Sequence, residues 1–466
     1  MSFAQYPEYK TSGVEWLGEV PAHWEVSRLR FNARLNPPKS EIRGLGSDKE
    51  VSFIPMDAVG ENGSLQLERT RLLGDVLAGY TYFRDGDVAI AKITPCFENG
   101  KAAVMRGLRS GIGFGSTELT VLRANPAQTS ARYLFLIATS KAFRSLGQSE
   151  MYGAGGQKRV PDDFIRNFAV PWPPEEEQRK IAAFLDHETA KIDALIDEQK
   201  RLIELLKEKR QAVISNAVTK GLDPDAPMKD SGVEWLGKVP AHWGIGRLRW
   251  YAAIQGGIAK GKDYEEKDTV TRPYLRVANV QDGHLNLSEI KEIAVLRQEV
   301  RRYTLRYGDV LMNEGGDNDK LGRGTVWRSE IRGCLHQNHV FAIRPGPRLM
   351  PDWLAMFTQT SPARAYFFIH SKQSTNLASI SSTNVMACPL PIPSADEQRR
   401  TIDAVRRHVE SIDEMIGETA RSITLLQERR SALISAAVTG KIDVRDRRPR
   451  ESEAGRSEDT PATESA

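Results

Sequence analysis

The sequence has no apolar run long enough to span a bilayer, so no membrane-crossing helix is expected. Its opening stretch, MSFAQYPEYK, lacks the apolar core of a secretion signal. Cysteine is scarce: Cys96, Cys334 and Cys388 are scattered and odd in number. That excludes a disulfide framework and CxxC metal spacing, and it points to a reducing, cytoplasmic setting. An excess of one charge is missing too, with 65 Lys and Arg against 61 Asp and Glu. A sequence pI near 8.8 leaves room for basic patches. This balance permits nucleic-acid binding without demanding it. What remains is an ordinary globular composition, 40% apolar and 27% charged, over 466 residues, enough for more than one domain.

Complete catalytic signatures are also absent. NPPK at Asn36–Lys39 is close to the NPP-aromatic motif of adenine methyltransferases, but Lys39 stands where the base-stacking aromatic belongs. GGIAKGKD at Gly256–Asp263 has the glycines and lysine of a phosphate loop. Asp263 replaces its Ser or Thr, and that charge would repel phosphate. GIGFG at Gly111–Gly115 is a lone glycine cluster. His336 and His339 lie three apart with no carboxylate nearby in sequence to complete a metal triad. The alternative of a methyltransferase or fused restriction-methylation enzyme would need a cofactor-binding domain and catalytic motif, and neither is seen. No metal is expected, and no cofactor for this chain itself.

What is present is repetition. SGVEWLGEVPAHW at Ser12–Trp24 returns at Ser231–Trp243 with one change, Glu19 to Lys238. EEQRKIAAFLD from Glu176 is echoed by DEQRRTIDAV from Asp396, and KRQAVISNAVTKGLD from Lys209 by RRSALISAAVTGKID from Arg429. The period of about 220 residues is far too long for a solenoid, so it marks a duplicated domain with its connector. The stretches between match only at points such as DGDVAIAKI from Asp85 against YGDVLMNEG from Tyr307. The resulting segments are a variable block over 1–173, a helix over 174–220, a second block over 221–393 and a second helix over 394–440. A polar tail over 441–466, without aromatics, is expected to be disordered.

The helices carry a heptad seam. Ala182, Leu185, Ile192, Ile196, Ile203, Leu206 and Val213 share the register of Ile402, Val405, Val409, Ile412, Ile416, Ile423, Leu426 and Leu433, with Thr419 and Arg430 as polar interruptions. A seam of this length predicts a coiled coil, simplest as an antiparallel pair of rods of roughly 60 Å each. Pro174 with three glutamates, and Ser394 with Glu397 at capping-box spacing, mark helix starts, and Gly221 and Gly440 mark stops. The blocks read as α+β. Strands are expected at VSFIPM, DVAIAKI, LTVLRA, YLRVANV and HVFAIRP, with a shorter helix in SARYLFLIATSKAFRSL and another in PDWLAMFTQTSPARAYFFI. Glycine-rich loops with Lys, Arg, Gln and Asn, YGAGGQKRV and NEGGDNDKLGRGTVW, can serve phosphates and base edges together. The same composition also suits plain hydrophilic loops.

SGVEWLGEVPAHWEVSRLR and its copy, the pairs Gly86-Asp87 and Gly308-Asp309, and PWPPEEEQRKIAAFLD with PLPIPSADEQRRTIDAV together resemble type I restriction-modification specificity subunits. The resemblance covers nearly the whole chain before the tail. It implies two target recognition domains related by a pseudo-twofold axis and separated by two long antiparallel helices. It implies no chemistry of the chain's own. Each domain would read half of a bipartite double-stranded DNA target, asymmetric because the blocks differ, and the helices would fix the unread gap. Two methyltransferase subunits, which bind S-adenosylmethionine, and motor-nuclease restriction subunits would be partners. For DNA contact the candidates are Lys92, Lys101, Gln157, Lys158 and Arg159 in the first block. In the second they are Lys320, Arg323, Gln337, Asn338, His339 and Asn376. Partner docking is expected on outward faces at Glu177, Gln178, Arg179, Glu397, Gln398 and Arg399, unless these only cap and solubilise the helix starts. Trp16, Trp24, Trp235 and Trp243 are expected to anchor domain to helix.

Overall fold

A computed structural model describes residues 3–259, 268–316, 321–373 and 378–446. The chain divides into two compact units, one of residues 1–199 with 422–466 and the other of residues 200–421. Among the described residues, no helix is long and apolar enough to cross a membrane.

The first unit holds two four-stranded sheets. One runs in the order Thr70–Leu72, Glu50–Ile54, Ile112–Gly115, Thr81–Arg84, and the other Ala33–Leu35, Leu119–Ala124, Asp87–Ala91, Ala102–Val104. The largely apolar runs VSFI and VAIA suit strands buried on both faces, and Asp87–Ala91 is buried throughout. The expected single helix after these strands is two, α1 (Ala131–Thr139) and α2 (Lys141–Ser149). Ser140 breaks it: its backbone is extended, and its side chain accepts the Phe143 N–H as the cap of α2. A short α3 (Asp162–Asn167) follows, and then α4 (Glu175–Lys220).

The second unit repeats this plan. A four-stranded sheet runs Ala252–Gly256, Val340–Pro345, Val310–Asn313, Gly324–Val326, beside a three-stranded sheet of Lys291–Leu296, Thr269–Leu275 and Leu335–His336. Its expected single helix is also two, α5 (Pro351–Thr358) and α6 (Ser361–Ile369). Thr360 caps α6, and Pro362 in the first turn suits a new start rather than a continuation. After α7 (Ser382–Ala387) comes α8 (Ala395–Val438).

The Gly-Asp pairs are structural. Asp87 is buried, and Arg123 on the neighbouring strand grips both its oxygens at 2.6 and 2.7 Å. Asp309 and Arg344 repeat this at 2.7 and 2.8 Å. Burial alone would lower the Arg123 pKa, but the carboxylates of Asp87 and Glu41 overcome it and raise it.

Each unit contains part of both long helices, running antiparallel. In the first, Ile192 and Ile196 of α4 share a core with Leu433 and Ile434 of α8, and Arg430 donates to Asp193 at 2.9 Å. In the second, Ile214 and Ala217 of α4 pack with Val405 of α8, and Arg210 donates to Asp413 at 3.0 Å. None of the seam residues named from sequence is exposed, and Thr419 satisfies its hydroxyl on the Met415 carbonyl. The chain stays in the fold past the expected boundary at Lys441. Ile442 and Val444 are buried in the first unit, and Asp443 bridges to Ala4. The rest of the expected disordered tail, from Arg447, lies outside the described residues.

Candidate nucleic-acid interface

One backbone arrangement is built twice. In the first unit Ala91 N–H donates to the Lys101 carbonyl, Lys92 N–H to that of Glu118, and Val160 N–H to that of Lys92, each at 2.9 Å. In the second unit Asn313 donates to Arg323, Glu314 to His339, and Ile380 to Glu314, again each at 2.9 Å. Ile93 bridges to Arg159 as Gly315 pairs with Ser379. Lys92, Glu118, Lys101 and Arg159 therefore occupy the places of Glu314, His339, Arg323 and Ser379. The frame is shared, but at the Lys92 place the sign of charge is inverted.

The five candidates of the first block come together here. Gln157 and Lys158 are exposed on the turn between Tyr152 and Arg159. Lys92 and Lys101 are half-buried, and Lys101 Nζ donates to the Met56 carbonyl at 3.5 Å. Arg159 holds Glu118 through two bonds of 2.7 and 2.8 Å. That grip, with Lys92 nearby, holds the Glu118 carboxyl below its ordinary range. In the second block Gln337, Asn338 and His339 are consecutive, with His339 Nδ1 2.8 Å from a Glu314 oxygen. Arg323 is half-buried at the equivalent of Lys101. Lys320 and Asn376 lie outside the described residues, as does GGIAKGKD from Lys260.

The sequence reading missed Glu118 and Glu314. Both sit among the cation candidates, and the alignment of DGDVAIAKI with YGDVLMNEG already carried the Lys92-to-Glu314 exchange. His336 does not face a ligand. It is buried, its Nδ1 lies 2.7 Å from the Val340 carbonyl oxygen, and burial lowers its pKa. No group of three His, Cys, Asp or Glu side chains among the described residues is arranged to hold a metal ion. In NPPK, Asn36 accepts from Val121 N–H and Lys39 donates to the Leu77 carbonyl, so both serve the fold.

The helix starts overturn the expected outward orientation of the docking set. Glu177 and Gln178 are buried, Gln398 is fully buried and Glu397 half-buried; only Arg179 and Arg399 are exposed. Glu177 accepts from the Tyr6 hydroxyl at 2.7 Å and the Trp24 indole N–H at 3.1 Å, with His23 at 2.8 Å. Burial, then the Glu177 carboxylate, pushes the Tyr6 hydroxyl pKa up, so it remains a donor. Glu397 accepts from Trp243 at 2.8 Å, with His242 at 3.0 Å. Gln178 and Gln398 bond backbone carbonyls, Gln128 and Pro173 for one, Arg348 and Pro393 for the other. The capping box is half formed: Glu397 N–H donates to Ser394, but the Glu397 side chain turns to the tryptophan.

The same tryptophans touch helix ends. Gly440, just past α8, lies against Pro21 and Trp24, and Gly221, just past α4, lies against Trp243. Trp24 and Trp243 thus join the start of one long helix to the end of the other within each unit. Trp16 and Trp235 do something else: they pack on Phe168 and on Tyr366.

The model of the type I restriction modification DNA specificity domain matches residues 84–205. Over these residues the chain is similar to type I restriction-modification specificity subunits. It is 40% identical over 178 residues to the EcoEI specificity subunit of Escherichia coli, and 44% identical over 179 residues to the EcoAI specificity subunit of the same species. Each match covers 38% of this chain, and it spans only 30% of the relative's length. A chain of a solved type I restriction-modification system, 19% identical, covers 90% of this chain and 98% of its own length with a TM-score of 0.68, a likeness of fold. The specificity-family match takes in Asp87, Lys92, Lys101, Glu118, Arg159 and the start of α4, so the frame described above falls inside it. The matched model describes a DNA specificity domain and not a catalytic one.

Proposed function

We propose that this chain is the DNA-recognition subunit of a type I restriction-modification complex, with each unit reading half of a bipartite, asymmetric duplex target. The observation that carries this is the twice-built frame with unlike side chains. Two readers of one ancestry would keep their backbone and change their base contacts, and this is the pattern of Lys92, Glu118 and Arg159 against Glu314, His339 and Ser379. Lysines at Lys92, Lys101 and Lys158 suit phosphates or guanine acceptors, while a carboxylate at Glu314 suits the amino group of cytosine. The long helices set the unread gap. The chain docks adenine methyltransferase subunits, which bring S-adenosylmethionine and the chemistry, and motor-nuclease subunits join them.

Single-molecule methylation sequencing of host DNA, with the gene present and deleted, tests this. A methylated motif with two defined halves should vanish on deletion, and an unchanged set of motifs would sink the reading. Arg323→Ala should weaken binding or relax one position of the second half alone. Affinity and specificity both unchanged at matched salt would remove Arg323 from the contact set.

A further inference from the structure

Phe31 and Trp250 occupy the same place in the two units, and both face solvent, 63% and 65% exposed. Each closes a repeated run: Arg28, Leu29, Arg30, Phe31 in one unit and Arg247, Leu248, Arg249, Trp250 in the other. Both leucines are buried. The Leu29 N–H donates to the Phe168 carbonyl at 3.0 Å and the Leu248 N–H to that of Cys388 at 2.9 Å, so the turn is fixed alike twice. All four arginines are exposed, and the Arg30 guanidinium carbon lies 5.1 Å from the Phe31 ring centre. Within each four-residue run the leucine is the buried side chain. The aromatic ring keeps its place and size class in a chain whose reading surfaces have diverged, yet it is left in water.

We infer that the two Arg-Leu-Arg-aromatic runs are one docking surface used twice, for a protein partner that offers an apolar pocket rimmed by carboxylates. Two equal surfaces on one chain take two copies of one subunit. Naming that subunit the methyltransferase rests on the function proposed above. Aromatic and arginine side chains are those that concentrate binding energy at protein interfaces. Duplex phosphates would engage the arginines but give the ring no pocket to fill, so a protein surface fits the whole run better. Of the expected docking carboxylates at the helix starts, Glu177 is buried and Glu397 half-buried, whereas these runs follow closely on the repeated Trp phrase and are open.

The test counts copies by mass photometry of the full chain mixed with the methyltransferase subunit, for wild type, Phe31→Ala, Trp250→Ala and the double variant. All four are also melted thermally, and exposed positions should leave the melting point unmoved. Arg30→Glu with Arg249→Glu is a second variant pair. Two copies on wild type, one on each single variant and none on the double supports the proposal, with affinity at the altered surface at least about tenfold weaker. Two copies retained on every variant overturns it while leaving the proposed function standing. No copy on wild type overturns the proposal together with the docking part of that function. Variants that keep both copies but lose duplex affinity, with a shallower salt dependence, assign the runs to phosphate and overturn it as well.

Discussion

At the scale of single residues, the helix-start glutamates govern stability. Glu177 is the common acceptor for Tyr6 and Trp24, both buried, and removing it strands two donors away from water. Glu177→Ala should destabilise the first unit by about 3 kcal/mol, as urea denaturation would register. Glu397→Ala should cost less in the second unit, because Glu397 is more exposed and, among the described residues, its side chain bonds Trp243 and His242. His336 sets a pH dependence. Its folded pKa lies below its ordinary value, so the unfolded chain binds the proton more readily. Its contribution is therefore complete above about pH 6.5 and is lost as pH falls below that. Melting of the second unit should drop between pH 7 and pH 5.5, and His336→Gln should flatten that drop. An equal slope in both proteins would exclude His336 as its source.

At the scale of elements, the two helix stops look alike in sequence but differ in their surroundings. Both glycines have positive φ, +73° at Gly440 and +79° at Gly221. A Cβ on Gly440 would meet Pro21 at 2.3 Å, whereas one on Gly221 meets nothing nearer than 3.4 Å. Gly221→Ala should thus cost about 1 kcal/mol for its backbone alone. Gly440→Ala should cost about 2 kcal/mol or more, since proline and tryptophan must also shift. Thermal melting of the two variants compares them directly. The stops themselves were legible, as were the seam, most of the strands and the doubled plan, because glycine, heptad spacing and repetition are local signals; of the expected strand YLRVANV only Tyr274 and Leu275 are in a strand, and Val277–Asn279 form a tight helical turn. The breaks at Ser140 and Thr360 were written in capping residues but masked by continuous apolar runs. The inward turn of Glu177 and Gln178 was not legible. Charged residues in a helix's first turn serve the dipole and a buried tryptophan equally well, and only the fold brings Trp24 to them. The reading frame was half legible: Lys92, Lys101 and Arg159 could be picked by type, but their neighbour Glu118 comes from a separate turn, just before the strand Leu119–Ala124.

At the scale of the whole molecule, two frames with separate side chains predict separable halves of specificity. Lys92→Ala should alter only one half of the methylated motif and Glu314→Gln only the other, read from methylation sequencing of cells carrying each variant. A variant that changed both halves would break the assignment of one reader to each unit. The first unit also draws on both ends of the chain. Tyr9 donates to the Gly440 carbonyl, the Lys141 N–H to Ser435, and Arg144 to Ser431, while the second unit is one continuous stretch. A nascent chain leaving the ribosome can thus close its second reader before its first, the reverse of the usual N-to-C order. Until Leu433, Ile434 and Val438 emerge, the apolar faces of Ile192 and Ile196 stay wet. The earliest-made domain is then the last to become protease-resistant.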